Sequence, residues 1–100
     1  MEVHRLDELR QAIDQIDREM ISLLAKRFQL TEEVGMYKAV NQLSAQDPSR
    51  EANQFDKIKT LASSQELNPE YAASIYRCLM DVVISRHKEI EQRYVQNNRI

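Results

Sequence analysis

The sequence predicts an all-α fold of three helices per chain, and three observations carry that expectation. From Leu6 to Val34 the apolar residues Leu6, Leu9, Ile13, Ile16, Met20, Leu23, Leu30 and Val34 fall at spacings of three and four around a single polar seam position, Arg27. That repeat belongs to a helix packed against other helices. One Gly and two Pro in 100 residues are too few for the tight turns of an all-β chain. Both prolines follow a helix-capping residue, as Asp47-Pro48 and Asn68-Pro69, which is how a helix starts.

The first helix is expected from Leu6 to Asn41, after a polar lead from Met1 to Arg5, with Asp7 and Glu8 in its first turn facing the positive end of the helix dipole. At 1.5 Å per residue it would be roughly 54 Å long. The rest of the chain cannot cover a seam of that length, so a second copy of the chain is expected to do so, in a homodimer. A short loop over residues 41–46 leads to Asp47 as N-cap and a second helix to about Ser63, with Ala52, Phe55, Ile58, Leu61 and Ala62 inward. Asn68 caps a third helix from Pro69 to about Gln96, with Ala72, Ile75, Tyr76, Leu79, Val83 and Ile90 inward. Residues 92–100 are polar and expected to fray.

Length and composition place residues 1–100 in one domain. A net charge of -2 and a pI near 5.7 argue against a nucleic-acid partner, which selects a basic face. Any anion site must be local. Cys78 is alone and sits among apolar residues, so it is expected to be a buried structural thiol. No signal peptide or apolar run of spanning length appears, so a cytoplasmic protein without a membrane partner is expected. Neither metal-spaced Cys/His pairs nor a Gly-rich phosphate loop occurs, so neither a metal nor a cofactor is expected.

The candidate chemistry lies in charges placed on core-facing surfaces. Arg27 occupies a seam position, and a buried cation needs an anion. Lys38 follows it by eleven residues, a net rotation of about 20° and a rise of about 16 Å, so the two share a face suited to a carboxylate ligand. Arg10 lies about 25 Å from Arg27 along the same helix, too far for one small molecule to touch both. An antiparallel partner chain would bring its own Arg10 close. On the second helix Asp47, Arg50 and Glu51 fall at i, i+3 and i+4, adding one cation and two acceptors on a shared face. Taken singly, Lys38 and Arg50 would read as solvated surface and Glu51 as an acid in the first turn of a helix. The set carries more than its members and fits a carboxylate clamp.

Leu9-Arg10 with Ile13, the Ile16-Asp17 step, Leu23-Leu24-Ala25-Lys26-Arg27, Val34-Gly35-Met36-Tyr37-Lys38 and Asp47-Pro48-Ser49-Arg50-Glu51 together resemble the all-helical class of chorismate mutases. The resemblance extends from about Leu6 to Glu91. It implies an intertwined helical homodimer with shared active sites and the rearrangement of chorismate to prephenate in aromatic amino-acid biosynthesis, without a cofactor. Carried over by position, Arg10 of the partner chain and Arg27 would hold the two carboxylates of chorismate. Lys38 would donate to the ether oxygen whose bond to carbon breaks. Arg50 would help close the site, and Asp47 and Glu51 would meet the ring hydroxyl through backbone and side chain.

The third helix departs from the pattern. The resemblance expects a small polar residue and, four positions later, a Gln or Glu that donates a second hydrogen bond to the ether oxygen; Val83 and His87 stand there. His87 has two readings, a solvated side chain in the charged run Arg86-His87-Lys88-Glu89, or a donor on the inner face one turn from Val83. The departure keeps open an isochorismate pyruvate lyase or an aminodeoxychorismate mutase on the same scaffold, and a non-catalytic helical dimerisation or regulatory module. Asp47 and Glu51 speak against the lyase, whose substrate lacks a hydroxyl at the ring position they would meet.

Overall fold

The element order is α1 (Glu2–Val40), α2 (Pro48–Ser64) and α3 (Pro69–Asn97), with no strand among the described residues. The structure is a computed structural model and describes residues 2–98. The helix starts follow the caps. Asp47 has φ -131° and ψ 93°, and its Oδ1 accepts from the Arg50 N–H at 3.1 Å while its carbonyl accepts from the Glu51 N–H at 3.0 Å. Asn68 Oδ1 accepts from the Glu70 N–H at 2.9 Å. Each cap satisfies an N–H that has no partner within its helix.

Two helix ends are built alike, without glycine. After α1, Gln42 takes φ 57°, so the Leu43 N–H reaches the Lys38 carbonyl at 2.8 Å and the Gln42 N–H reaches Ala39 at 3.3 Å. After α2, Glu66 takes φ 58°, and the Leu67 and Glu66 N–H groups reach Ala62 and Ser63 at 2.9 and 3.2 Å. A left-handed residue turns the chain so that the last carbonyls are satisfied.

The outer boundaries differ from the sequence expectation. The lead over residues 2–5 is helical, because it contains no Gly, Pro or capping residue to stop the helix. Asp7 and Glu8 consequently sit beyond the first turn, and Glu8 pairs with Arg5 at 3.5 Å. At the other end, helix α3 continues through residues 92–97 instead of fraying. Charge pairing and a side-chain cap support it there, with Arg93 on Glu89 at 3.4 Å and Asn98 Nδ2 on the Tyr94 carbonyl at 2.8 Å. Residues 99–100 lie outside the described residues.

The chain divides into two compact units, with the boundary between Thr31 and Glu32. Taken by itself, the first is a stretch of helix only, and a lone helix has nothing on which to bury its apolar stripe. The apolar seam residues from Leu6 to Leu30 are between 44% and 63% exposed.

The second unit contains the end of α1, all of α2 and all of α3. Its core is Ala39, Ala45, Ala62, Ala72, Met80 and Ile90, together with His87. Arg77 stacks on the Phe55 ring at 4.4 Å and Lys59 pairs with Glu70 at 3.6 Å. Position 55 therefore meets 77 while 59 meets 70, so α2 and α3 are antiparallel. The inner stripe of α3 is Ala72, Tyr76, Met80, Val83, His87 and Ile90, all buried or half-buried. Ile75 and Cys78, expected inward, belong instead to a second stripe with Tyr71 and Val82, and all four are exposed. Leu61 on α2 is exposed as well. Helix α3 carries apolar residues on two faces, and a single chain covers one of them.

Candidate active site

The end of α1 and the start of α2 bring charge together through the loop that joins them. Lys38 lies in the last turn of α1 and is half-buried, and its Nζ donates to the Ala45 carbonyl at 3.4 Å. Ala45 is itself buried. The loop that pins Lys38 therefore ends on the Asp47 cap two residues later. Asp47 and Arg50 are exposed and Glu51 is half-buried in the first turn of α2. This end of α2 also presents the positive end of a helix dipole, so Lys38, Arg50 and the helix terminus offer positive potential, while Glu51 offers an acceptor.

His87 is only 4% exposed, so its side chain is not solvated and lies on the inner face of α3. Its ring rests on Gly35. A Cβ at that position would stand 2.7 Å from His87 Cδ2, 3.1 Å from its Nε2 and 2.8 Å from Ile90 Cδ1. Val83, one turn earlier on α3, is half-buried.

The residue before His87 is anchored to α1. Arg86 grips Glu32 with Nη2 on Oε1 at 2.6 Å and Nε on Oε2 at 3.0 Å, and its Nη1 meets Glu89 at 3.2 Å. A two-toothed contact of this kind fixes direction as well as distance. The hydrogen bond from Arg86 holds the Glu32 carboxyl below its ordinary value, and the same bond raises the Arg86 guanidinium.

Arg10 and Arg27 belong to the helical stretch of the first unit, Arg10 exposed and Arg27 half-buried. Seventeen residues separate them, about 25 Å of helix, so one chain cannot present both to one small ligand.

Sequence reasoning about the site missed Gly35, Glu32 and Arg86. A signal existed for the first: Gly35 is the only glycine of the chain, it lies inside a helix, and no glycine has positive φ. A helical glycine with no turn to make marks a close approach. Glu32 and Arg86 are 54 residues apart and leave no local pattern. Among the described residues, no group of His, Cys, Asp and Glu could hold a metal ion.

The family described as chorismate mutase type II matches residues 9–88. The chain belongs to that family. The chorismate mutase of Methanocaldococcus jannaschii is 26% identical, over 94% of this chain and 91% of its own length. The bifunctional chorismate mutase/prephenate dehydratase of Aquifex aeolicus is 32% identical over 93% of this chain, and that of Escherichia coli K12 is 27% identical over 84%. The chain spans 26% and 22% of the lengths of those two bifunctional relatives. The stretch matched to chorismate mutase type II includes all eight candidate positions, Arg10, Arg27, Lys38, Asp47, Arg50, Glu51, Val83 and His87.

Proposed function

We propose that this chain is a chorismate mutase, an isomerase that rearranges chorismate to prephenate, working as a homodimer with shared active sites. The match of the chorismate mutase type II family over residues 9–88 carries the reading. In the proposed site Arg27 of one chain and Arg10 of the other bind the two carboxylates. Lys38 and His87 donate to the ether oxygen, Glu51 and the Asp47 backbone meet the ring hydroxyl, and Arg50 and Val83 complete the wall.

The reaction is intramolecular, so no nucleophile is needed and no atom enters or leaves. What remains for the protein is to hold the compact conformer in which the reacting carbons meet, and to stabilise negative charge that grows on the ether oxygen as its bond to carbon stretches. Fixed donors away from water suit the second task. Lys38, half-buried and tied to the Ala45 carbonyl, is one. His87 on the inner face of α3 is the other.

The reading takes residues 1–100 as one domain acting in the cytoplasm. Among the described residues, no helix is long and apolar enough to cross a membrane. Incubating the purified protein separately with chorismate, isochorismate and aminodeoxychorismate tests the substrate. Prephenate from chorismate alone is the expected result. Pyruvate released from isochorismate would identify a lyase instead, rearrangement of aminodeoxychorismate alone would identify the amino analogue's mutase, and no turnover of any would leave a non-catalytic helical module.

A further inference from the structure

We propose that Gly35 is a positioning residue: the missing side chain at this point of α1 sets where the His87 imidazole lies. A glycine inside a helix is less favourable than alanine because its backbone loses more freedom on folding, so something must offset it. Conformation does not, because no glycine adopts positive φ. Close approach does. A methyl group at position 35 would come to 2.7 Å from His87 Cδ2 and 2.8 Å from Ile90 Cδ1, closer than carbon atoms pack, and to a tight 3.1 Å from His87 Nε2.

The ring has little room to give way. His87 and Ile90 are both buried, at 4% and 6% exposure. One residue before the ring, Arg86 grips Glu32, which lies three residues before Gly35 on α1, at 2.6 and 3.0 Å. The side chains of 86 and 87 thus meet positions 32 and 35 in register, so a roll of α3 that relieved the clash would pull on a two-toothed ion pair. Lys38 follows Gly35 by three residues, the next position along the same side of the helix. A flat ring laid on a bare stretch of α1 is held beside the turn that carries Lys38. An acyclic side chain at 87 could bend away from a methyl group; an imidazole is rigid beyond its second torsion.

The inference rests on the reading of His87 as a donor to the ether oxygen, and the test separates the two. Gly35→Ala should lower kcat by on the order of 10-fold or more with KM within about 2-fold, because a donor displaced by about an ångström is lost mainly in the transition state. Gly35→Ala with Ile90→Val removes the contact with Ile90 Cδ1 but keeps the contact with the ring, so it should remain slow. Gly35→Ala placed on His87→Gln should cost that variant less than about 2-fold, since the flexible amide adapts. Circular dichroism and thermal melts check folding in each case.

Parental turnover by His87→Ala would overturn the donor reading and this inference with it. Loss of rate in His87→Ala together with parental kcat in a folded Gly35→Ala would overturn the inference alone. Restoration of kcat by Ile90→Val, or an equal loss from Gly35→Ala in the parental and His87→Gln backgrounds, would make Gly35 a packing residue and overturn it too. Should Gly35→Ala not fold, the double variant with Ile90→Val decides by its own kcat, and failure of both to fold would count against a positioning role.

Discussion

At the scale of single residues the proposed chemistry turns on two donors in different settings. Lys38 is half-buried with its ammonium on the Ala45 carbonyl, and the charge it is proposed to meet exists only in the transition state. Replacing it with alanine should therefore lower kcat by on the order of 10²-fold or more while changing KM much less. Steady-state kinetics on chorismate checks this, and a raised KM with unchanged kcat would remove Lys38 from bond breaking. His87→Gln should keep most of the parental rate, because an amide offers an N–H in the same reach. How far such residues can be read from sequence depends on the range of the contact that defines them. The Asp47 cap, with its bond to the Arg50 N–H, is settled within four residues and shows as Asp-Pro-Ser-Arg. The burial of His87 is not local: its charged neighbours Arg86 and Lys88 suggest water, yet Arg86 is spent on Glu32 across 54 residues of sequence, and the ring turns inward.

At the scale of elements the helices follow their stop and start signals, and the errors arise where a signal is shared between two surfaces. The two Pro starts are at the expected positions, and both turns without glycine lie where the periodicity lapses. Glu66 adopts φ 58°, a strained region for a residue with a side chain, at a cost of roughly 1–2 kcal/mol. Glu66→Gly should recover about 1 kcal/mol and raise the melting temperature, whereas Glu66→Val should lower it. The ion pair between α1 and α3 gives a pH signature. Glu32 is held below its ordinary value of 4.5 by the Arg86 hydrogen bond, so its contribution to stability is full above that value and disappears as pH falls through the lower, folded one. Glu32→Gln should accordingly be less stable than the parent near neutrality, and the gap should close on acidification below about pH 4. Urea melts over that range measure it; a gap independent of pH would mean that the carboxylate charge is not what binds Arg86. The second apolar stripe of α3, with Ile75 and Cys78 exposed, was unreadable for the same reason that it matters: helical periodicity marks apolar faces but does not say which chain covers each one.

At the scale of the whole molecule the proposal turns on what covers α1. The eight apolar seam residues from Leu6 to Val34 have about half of their surface left uncovered by their own chain, and each would contribute about 1 kcal/mol if fully buried. A second copy is the partner proposed here, because Arg10 and Arg27 are about 25 Å apart along one helix and a single dicarboxylate can be held by both only if they come from different chains. The proposal has an arithmetic consequence. Arg10→Ala and Arg27→Ala proteins should each be nearly inactive, since every site in either homodimer lacks one cation. In a heterodimer of the two, one site takes Arg27 from the first variant and Arg10 from the second and is whole, while the other site lacks both. Random pairing of equal amounts makes half of the dimers mixed, so unfolding the variants together and refolding them should restore about a quarter of the parental activity. Mixing without unfolding should restore it only as fast as subunits exchange. If the refolded mixture stays inactive although each variant folds and sediments as a dimer, the two arginines do not share a site across chains. If both variants sediment as folded monomers in their inactive state, the seam of α1 is covered by something other than a second copy.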